Sequence, residues 1–204
     1  MNNKTLVMLG AGGHAKVCYD IVQKMNKWDE IIILDDNPEN DYFKINGQLN
    51  DIHQYSSAEF FVAIGDNKIR AKITEELLKL NMKIATLIHP KAVIGSNVKI
   101  ETGTVIMAGV VINSATEIGK GCIINTSSSV DHDNKIGDYV HLSPGVHLAG
   151  TIEIGQRTWV GIGTTVINNI KINQDIIIGA GSLVLRNVNN KGNYYGQPIK
   201  MNNK

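Results

Sequence analysis

The sequence predicts a small α/β unit followed by a parallel β-solenoid. Two observations predict it. Over residues 1–88, short apolar runs alternate with amphipathic stretches, the pattern of a βαβ sheet. Beyond that point the period becomes six. Stepping by six from Ile94 gives Ile94, Ile100, Ile106, Ile112, Ile118, Ile124, Val130, Ile136, Leu142, Leu148, Ile154, Val160, Val166, Ile172, Ile178 and Val184. All are Ile, Leu or Val, and chance agreement is on the order of 10⁻⁹, so the second half is an internal repeat.

In the first half, Thr5–Leu9 reads as a strand ending in Gly10-Ala11-Gly12-Gly13. A helix follows, with Val17, Ile21, Val22 and Met25 at helical spacing. Glu30–Leu34 is a second strand, closed by Asp35-Asp36-Asn37-Pro38. A third strand, Phe60–Ile64, ends at Gly65. Asp66 then caps a helix with Ile69, Ile73, Leu77 and Leu80 on one face, and Lys83–Ile88 is a fourth strand. The unit has room for one mononucleotide-sized half, not a full dinucleotide fold.

A period of six suits a solenoid in which each hexad forms one side of a triangular coil and the aliphatic residue points inward. Sixteen hexads make about five turns, each about 4.8 Å above the last. The position four after each aliphatic residue is usually small or β-branched, as in Val98, Thr104, Thr116, Cys122 and Ser128. Glycine often follows the aliphatic residue (Gly95, Gly119, Gly137, Gly155, Gly161, Gly179), which predicts a corner tight enough to need it.

Composition narrows the class. Among 204 residues, 20 Lys plus Arg against 19 Asp plus Glu leave a formal charge of +1, which argues against a nucleic-acid partner. Aromatics are 5 %, as suits a stacked aliphatic core. Two cysteines form no framework, and Leu6–Leu9 is too short for a signal h-region or a membrane span. A cytoplasmic protein with no membrane insertion is expected. The histidines show no metal-ligand spacing, so no metal is expected.

Six histidines could act as a base near neutral pH: His14, His53, His89, His132, His141 and His147. In the hexad frame His132 lies on an outward corner, between Asp131 and Asp133, and the residue one 18-residue turn later is Gly150. The repeat therefore stacks His132 against a glycine, which leaves space and offers a backbone N–H. A solvated surface histidine between two acids is the plainer alternative. Gly10, Gly12 and Ala15 match G-x-G-x-x-A between a strand and a helix, with Asp35 near the place of a ribose-binding acid. A phosphate cradle and a tight structural turn both fit that loop.

The isoleucine-led hexapeptides resemble the left-handed β-helix acyltransferases. The whole chain, through Gly10-Ala11-Gly12-Gly13-His14, Ile33-Leu34-Asp35-Asp36, Ala63-Ile64-Gly65 and Leu87-Ile88-His89-Pro90, resembles the family of sialic acid O-acetyltransferases and bacillosamine-pathway N-acetyltransferases. Ile124-Asn125-Thr126-Ser127-Ser128 followed by Asp131-His132-Asp133 is most similar to the enzymes that acetylate the 4-amino group of a nucleotide-linked aminosugar. The resemblance implies a Rossmann-like nucleotide-sugar-binding domain over 1–88. A left-handed parallel β-helix domain with a C-terminal tail would occupy 89–204. It implies acetyl-CoA as co-substrate and a homotrimer with the acyl site between adjacent prisms.

The resemblance also assigns roles. His132 is the general base, the following acid orients it, Gly150 N–H contacts the thioester carbonyl, and Asn125 and His141 line the same site. Either Asp131 or Asp133 could reach the ring. Gly10, Gly12 and Gly13 would cradle the pyrophosphate of a UDP-sugar, Asp35, Asp36, Ile64 and Gly65 would bound uracil and ribose, and His14 would point to the sugar. Coenzyme A would follow the low-relief corners at Gly161, Ile162, Gly163, Gly179 and Gly181. The segment Tyr195-Gly196-Gln197-Pro198 resembles the family's Gly-x-Pro segment near the adenine, which gives Pro198 a cofactor contact. O-acetylation of sialic acid or a related sugar hydroxyl is the alternative activity.

Overall fold

A computed structural model describes residues 4–201. Strand β1 (Thr5–Leu9) is central in a parallel sheet of order β2-β1-β3-β4, with β2 Glu30–Leu34, β3 Glu59–Val62 and β4 Lys83–Ile84. Helix α1 (Gly13–Met25) buries Ala15, Cys18, Ile21 and Val22, leaves Val17 exposed, and stops at Asn26 in the left-handed region. Helix α2 (Asn67–Lys79) starts at Asp66, whose carboxylate accepts from the Lys68 and Ile69 amides. Its buried residues are Arg70, Thr74 and Leu77, while Ile69 and Leu80 are exposed. The simple apolar stripe expected there fails because α2 is covered on two sides, with Leu77 against the sheet and Arg70 against the solenoid.

The apolar run Lys83–Ile88 is not one strand. Lys83–Ile84 completes the first sheet, and Leu87–Ile88 pairs with Val105–Ile106 as the first rung of the solenoid. Ile88 lies one hexad before Ile94, in phase, so the coil has about six turns rather than five. Three parallel sheets form its faces. The first carries Leu87–Ile88, Val105–Ile106, Ile123–Ile124, His141–Leu142, Trp159–Val160 and Ile177–Ile178, extended by Asn193–Tyr195 and, antiparallel, by Lys200–Met201. The second runs from Val93–Ile94 to Leu183–Val184, and the third from Lys99–Ile100 to Lys171–Ile172. Pairing is in register at a step of 18, so Ile106, Ile124, Leu142, Val160 and Ile178 stack as one buried column.

The glycines after the aliphatic residues are needed for a different reason from the one expected. Their φ values are not positive; a Cβ on Gly137 would instead lie 2.8 Å from the Gln156 amide nitrogen of the next coil. The positive φ falls two residues further on, at positions such as Asn97, Tyr139 and Arg157. Close approach of stacked backbones, not the turn, selects glycine there.

The faces differ outwardly. On the third, Lys99, Glu117, Lys135, Glu153 and Lys171 alternate in charge, with Lys99–Glu117 at 2.7 Å and Lys171–Glu153 at 2.9 Å. Like charges are thereby kept apart, although such exposed pairs add little stability. The first two faces and their corners instead expose Val93, Val111, Trp159, Ile162, Ile167, Ile177 and Leu185.

Candidate active site

His132 occupies the corner between the second and third faces, exposed to solvent. Its Nδ1 is 2.7 Å from Asp133 Oδ2, so Asp133 is the acid that reaches the ring. Asp131 turns away. Its Oδ1 accepts from the His132 amide and from Asn113 Nδ2, both at 2.8 Å, and these bonds hold its carboxyl below the usual range. The Asp133 hydrogen bond raises the His132 pKa above its ordinary value, with smaller help from the charges of Asp131 and Asp133. Beneath the corner, buried Asn134 donates to the Asp131 and Ala149 carbonyls (2.6 and 3.0 Å) and accepts from Ile152 N–H (2.8 Å).

Gly150 lies against His132, as the 18-residue step predicts. A Cβ there would stand 2.6 Å from Cε1 and 2.7 Å from Nε2 of the ring. The space expected above the glycine is filled by the imidazole, which leaves Gly150 buried, and its N–H has no hydrogen-bond partner among the described residues.

A second cluster forms where the sheet domain meets the first face. His141, on the rung after Ile123–Ile124, has its Nε2 3.2 Å from Asn125 Nδ2, which donates to it, and stacks on Trp159 at 5.9 Å between centroids. Trp159 Nε1 donates to Ser143 Oγ at 2.8 Å. His14, at the start of α1, lies close enough to His141 for their charges to interact. Burial, then the Arg70 charge, pushes the His14 pKa down to about 4, and the same causes push His141 down to about 3. Both are neutral imidazoles at physiological pH. A cavity of about 640 Å³ opens here, between Gly65–Lys68 and His141, Trp159 and Ile177. A larger depression of about 900 Å³ follows the charged third face and holds none of the site residues singled out above.

The glycine loop sits at the C-terminal end of β1, between the ends of β2 and β3, the usual crevice of such sheets. Gly10 has φ +107°, and a Cβ there would lie 2.9 Å from Ile64 Cγ1. Gly12 and Gly13 face open space. Asp35 Oδ2 accepts from Ala11 N–H (2.7 Å) and braces the glycine loop, while its Oδ1 accepts from Asn37 N–H (2.8 Å) in the turn after β2. Asp36 accepts from Leu49 N–H at 3.0 Å.

The remaining positions divide by corner. Asn125, Gly161, Ile162, Gly163, Gly179 and Gly181 line the corner between the first and second faces, while His132 and Gly150 line the next one. A Cβ on Gly179 would strike the Tyr195 ring, so the tail covers part of this track. Ile162, Gly163, Gly181 and Pro198 are exposed. His141 and Gly65 border one cavity with His14 close by, but His132 stands on the corner opposite the first face, on the far side of the prism. Trp159, Arg70 and Asn134 carry no sequence motif. Asn134 alone left a signal, as a polar residue in a column otherwise small or β-branched.

Residues 5–77 match the family model described as the PglD N-terminal domain. The acetyltransferase domain of PglB from Neisseria gonorrhoeae FA1090 superposes with a TM-score of 0.93 at 32 % identity, over 98 % of this chain and 100 % of that one. The chain belongs to the PglD-like acetyltransferase family. The PglB domain has also been solved with acetyl coenzyme A. PerB from Caulobacter crescentus, in complex with CoA and GDP-perosamine, superposes at 0.91 with 34 % identity over 97 % of each chain. The UDP-N-acetylbacillosamine N-acetyltransferase of Bacillus subtilis (strain 168) is 33 % identical over 117 residues, 51 % of each protein. The match thus spans about half the length of this curated relative. No described helix is long and apolar enough to cross a membrane.

Proposed function

We propose that the protein is an acetyl-CoA-dependent N-acetyltransferase acting on the 4-amino group of a nucleoside-diphosphate-linked 4-amino-dideoxysugar. The observation that carries this reading is the His132–Asp133 pair packed on Gly150, in a chain similar to nucleotide-sugar N-acetyltransferases along nearly its whole length. Asp133 holds the Nδ1 proton and leaves Nε2 as the base. As the amine nitrogen attacks the thioester carbonyl, Nε2 takes its proton. The Gly150 N–H, without a partner among the described residues, meets the oxyanion; collapse of the intermediate breaks the C–S bond, and Nε2 returns its proton to the departing thiolate, which leaves as the thiol.

The acceptor sits in the cavity beside His141 and Gly65, with His14 and Asn125 at its sugar end. Its diphosphate lies at Gly10, Gly12 and Gly13, and its nucleoside lies near Asp35, Asp36 and Ile64. UDP is the nucleotide the sequence resemblance favours, and the PerB complex makes GDP its competitor. Because His132 and the cavity lie on opposite sides of one prism, they serve one reaction only when a second copy is present. The apolar first and second faces fit that need: the second face of one copy against the first face of the next closes a homotrimer. CoA then runs between copies, from Gly150 on one towards Gly161, Ile162, Gly163, Gly179, Gly181 and Pro198 on its neighbour. Both substrates are cytoplasmic metabolites, so we place the enzyme in the cytoplasm.

The test is thiol release from acetyl-CoA with a panel of UDP-, GDP- and dTDP-linked 4-amino sugars and free sialic acid. Turnover on one nucleotide-linked amine is expected, and turnover on sialic acid alone overturns the amine assignment. His132→Ala lowers turnover roughly 10²–10⁴-fold with the fold intact, and unchanged turnover in that variant removes His132 from the mechanism.

A further inference from the structure

Arg70 heads the largest fully buried side chains of the protein, 1 % exposed. Its guanidinium donates five hydrogen bonds, and every acceptor is an uncharged oxygen. Nε reaches the Gly121 carbonyl at 2.6 Å, Nη1 the Ile64 and Gly65 carbonyls at 3.0 and 2.9 Å, and Nη2 Asn67 Oδ1 at 2.7 Å and the Tyr139 carbonyl at 3.0 Å. No carboxylate forms an ion pair with it among the described residues. The side chain joins the loop that edges the cavity to the coil that carries His141. A neutral residue could fill this volume without the cost of burying an uncompensated cation.

The titratable groups facing Arg70 are His14 and Cys18 from α1, Asp66 at the start of α2, and Cys122, Tyr139 and His141 from the solenoid. Burial raises both thiols and the phenol, so these are uncharged at neutral pH. Asp66 caps α2 and borders the same cavity, and its charge offsets part of that of Arg70 without pairing with it. Around the cavity, Arg157 pairs with Asp175 at 2.8 Å, and Lys68 and Lys191 add further positive charge.

We propose that Arg70 is a positioning residue whose charge, unpaired with any carboxylate and fixed behind the Ile64–Gly65 loop, disfavours a second cation in the cavity and admits the acceptor sugar as its free amine. This rests on the reading of the cavity as the sugar subsite. An ammonium group has no lone pair with which to attack a thioester. Its proton leaves to water on binding, and the proton on nitrogen after C–N bond formation goes to His132, so two protons leave by separate routes. The low pKa values of His14 and His141 are the effect of the same field, added to burial. His132, across the prism, is governed by Asp133 and Asp131 instead.

Two variants separate charge from geometry. Arg70→Lys and Arg70→Met both lose the guanidinium fork and both lower Tm, but only Arg70→Met loses the charge. In the pH profile of kcat for the 4-amino sugar, which reports groups in the bound complex, Arg70→Lys keeps the acidic limb of the wild type. Arg70→Met moves it up by about one pH unit, roughly a tenfold loss on that limb that closes at high pH. Equal movement in both variants, or none in Arg70→Met, overturns the proposal.

Should Arg70→Met fail to fold, NMR titration of the imidazoles in Arg70→Gln against the wild type decides. His14 and His141, assigned with His14→Gln and His141→Gln, stay neutral down to about pH 5 in the wild type, and both titrate higher in Arg70→Gln, where burial alone lowers them. Unchanged titration of both in Arg70→Gln overturns the proposal. Because that measurement needs no turnover, absence of the field is distinguishable from failure of the acetyltransferase reading.

Discussion

Gly150→Ala tests the candidate base with one methyl group. The new Cβ would stand 2.6 Å from His132 Cε1 and 2.7 Å from Nε2, against an ordinary contact of at least 3.4 Å, so the ring must retreat by about 0.8 Å. The residue has no positive φ, so alanine strains no backbone. His132 is exposed and free to swing outward, so the cost falls on alignment rather than on stability. A displacement approaching 1 Å at a reacting group costs about 100-fold. Expected, then, is a drop of about that size in kcat for thiol release, with Tm unchanged to within about 2 °C. A variant that keeps kcat within threefold of the wild type would refute the assignment of His132 and Gly150 to one reaction centre. A variant that fails to fold would refute the claim that the ring gives way.

Asp133→Asn replaces the charged acceptor that raises the His132 pKa with a neutral amide, so the base becomes neutral at lower pH. The acidic limb of kcat/KM contributed by His132 therefore moves down, while the plateau falls about tenfold or more as the tautomer is less firmly held; a pH series from 5 to 9 checks both. Ile124→Ala empties one position of a fully buried column between Ile106 and Leu142 and should cost about 3 kcal/mol, read from the urea midpoint at fixed protein concentration.

Much of the fold was legible because one rule, an aliphatic residue every six, governs more than half of the chain. The rule also places His132 against Gly150, since 18 residues make one coil. The start of the coil is hidden because Leu87–Ile88 reads as the end of an α/β strand until Ile88 is counted in phase. The corner separation of Gly161 from Gly150 was legible by counting, since residues 125, 161 and 179 share one residue modulo 18. Arg70 was not. On a helical wheel it is an ordinary cation, and only the docking of α2 against the carbonyls of Gly121 and Tyr139 makes it buried. Likewise the Asp131 and Asp133 roles depend on Asn113, one coil below, which claims Asp131.

In-register stacking makes the length of this protein a quantised variable. Removal of a whole coil of 18 residues above Gly150 would shorten the prism by about 4.8 Å and return every later side chain to the column it left. Removal of a single residue would rotate every column that follows by one place, bringing corner residues onto the inner wall and sending aliphatic ones to solvent. The repeat thus acts as a ruler graduated in whole coils, and the corner that carries His132 keeps its form through changes of length by whole units but not through changes of one.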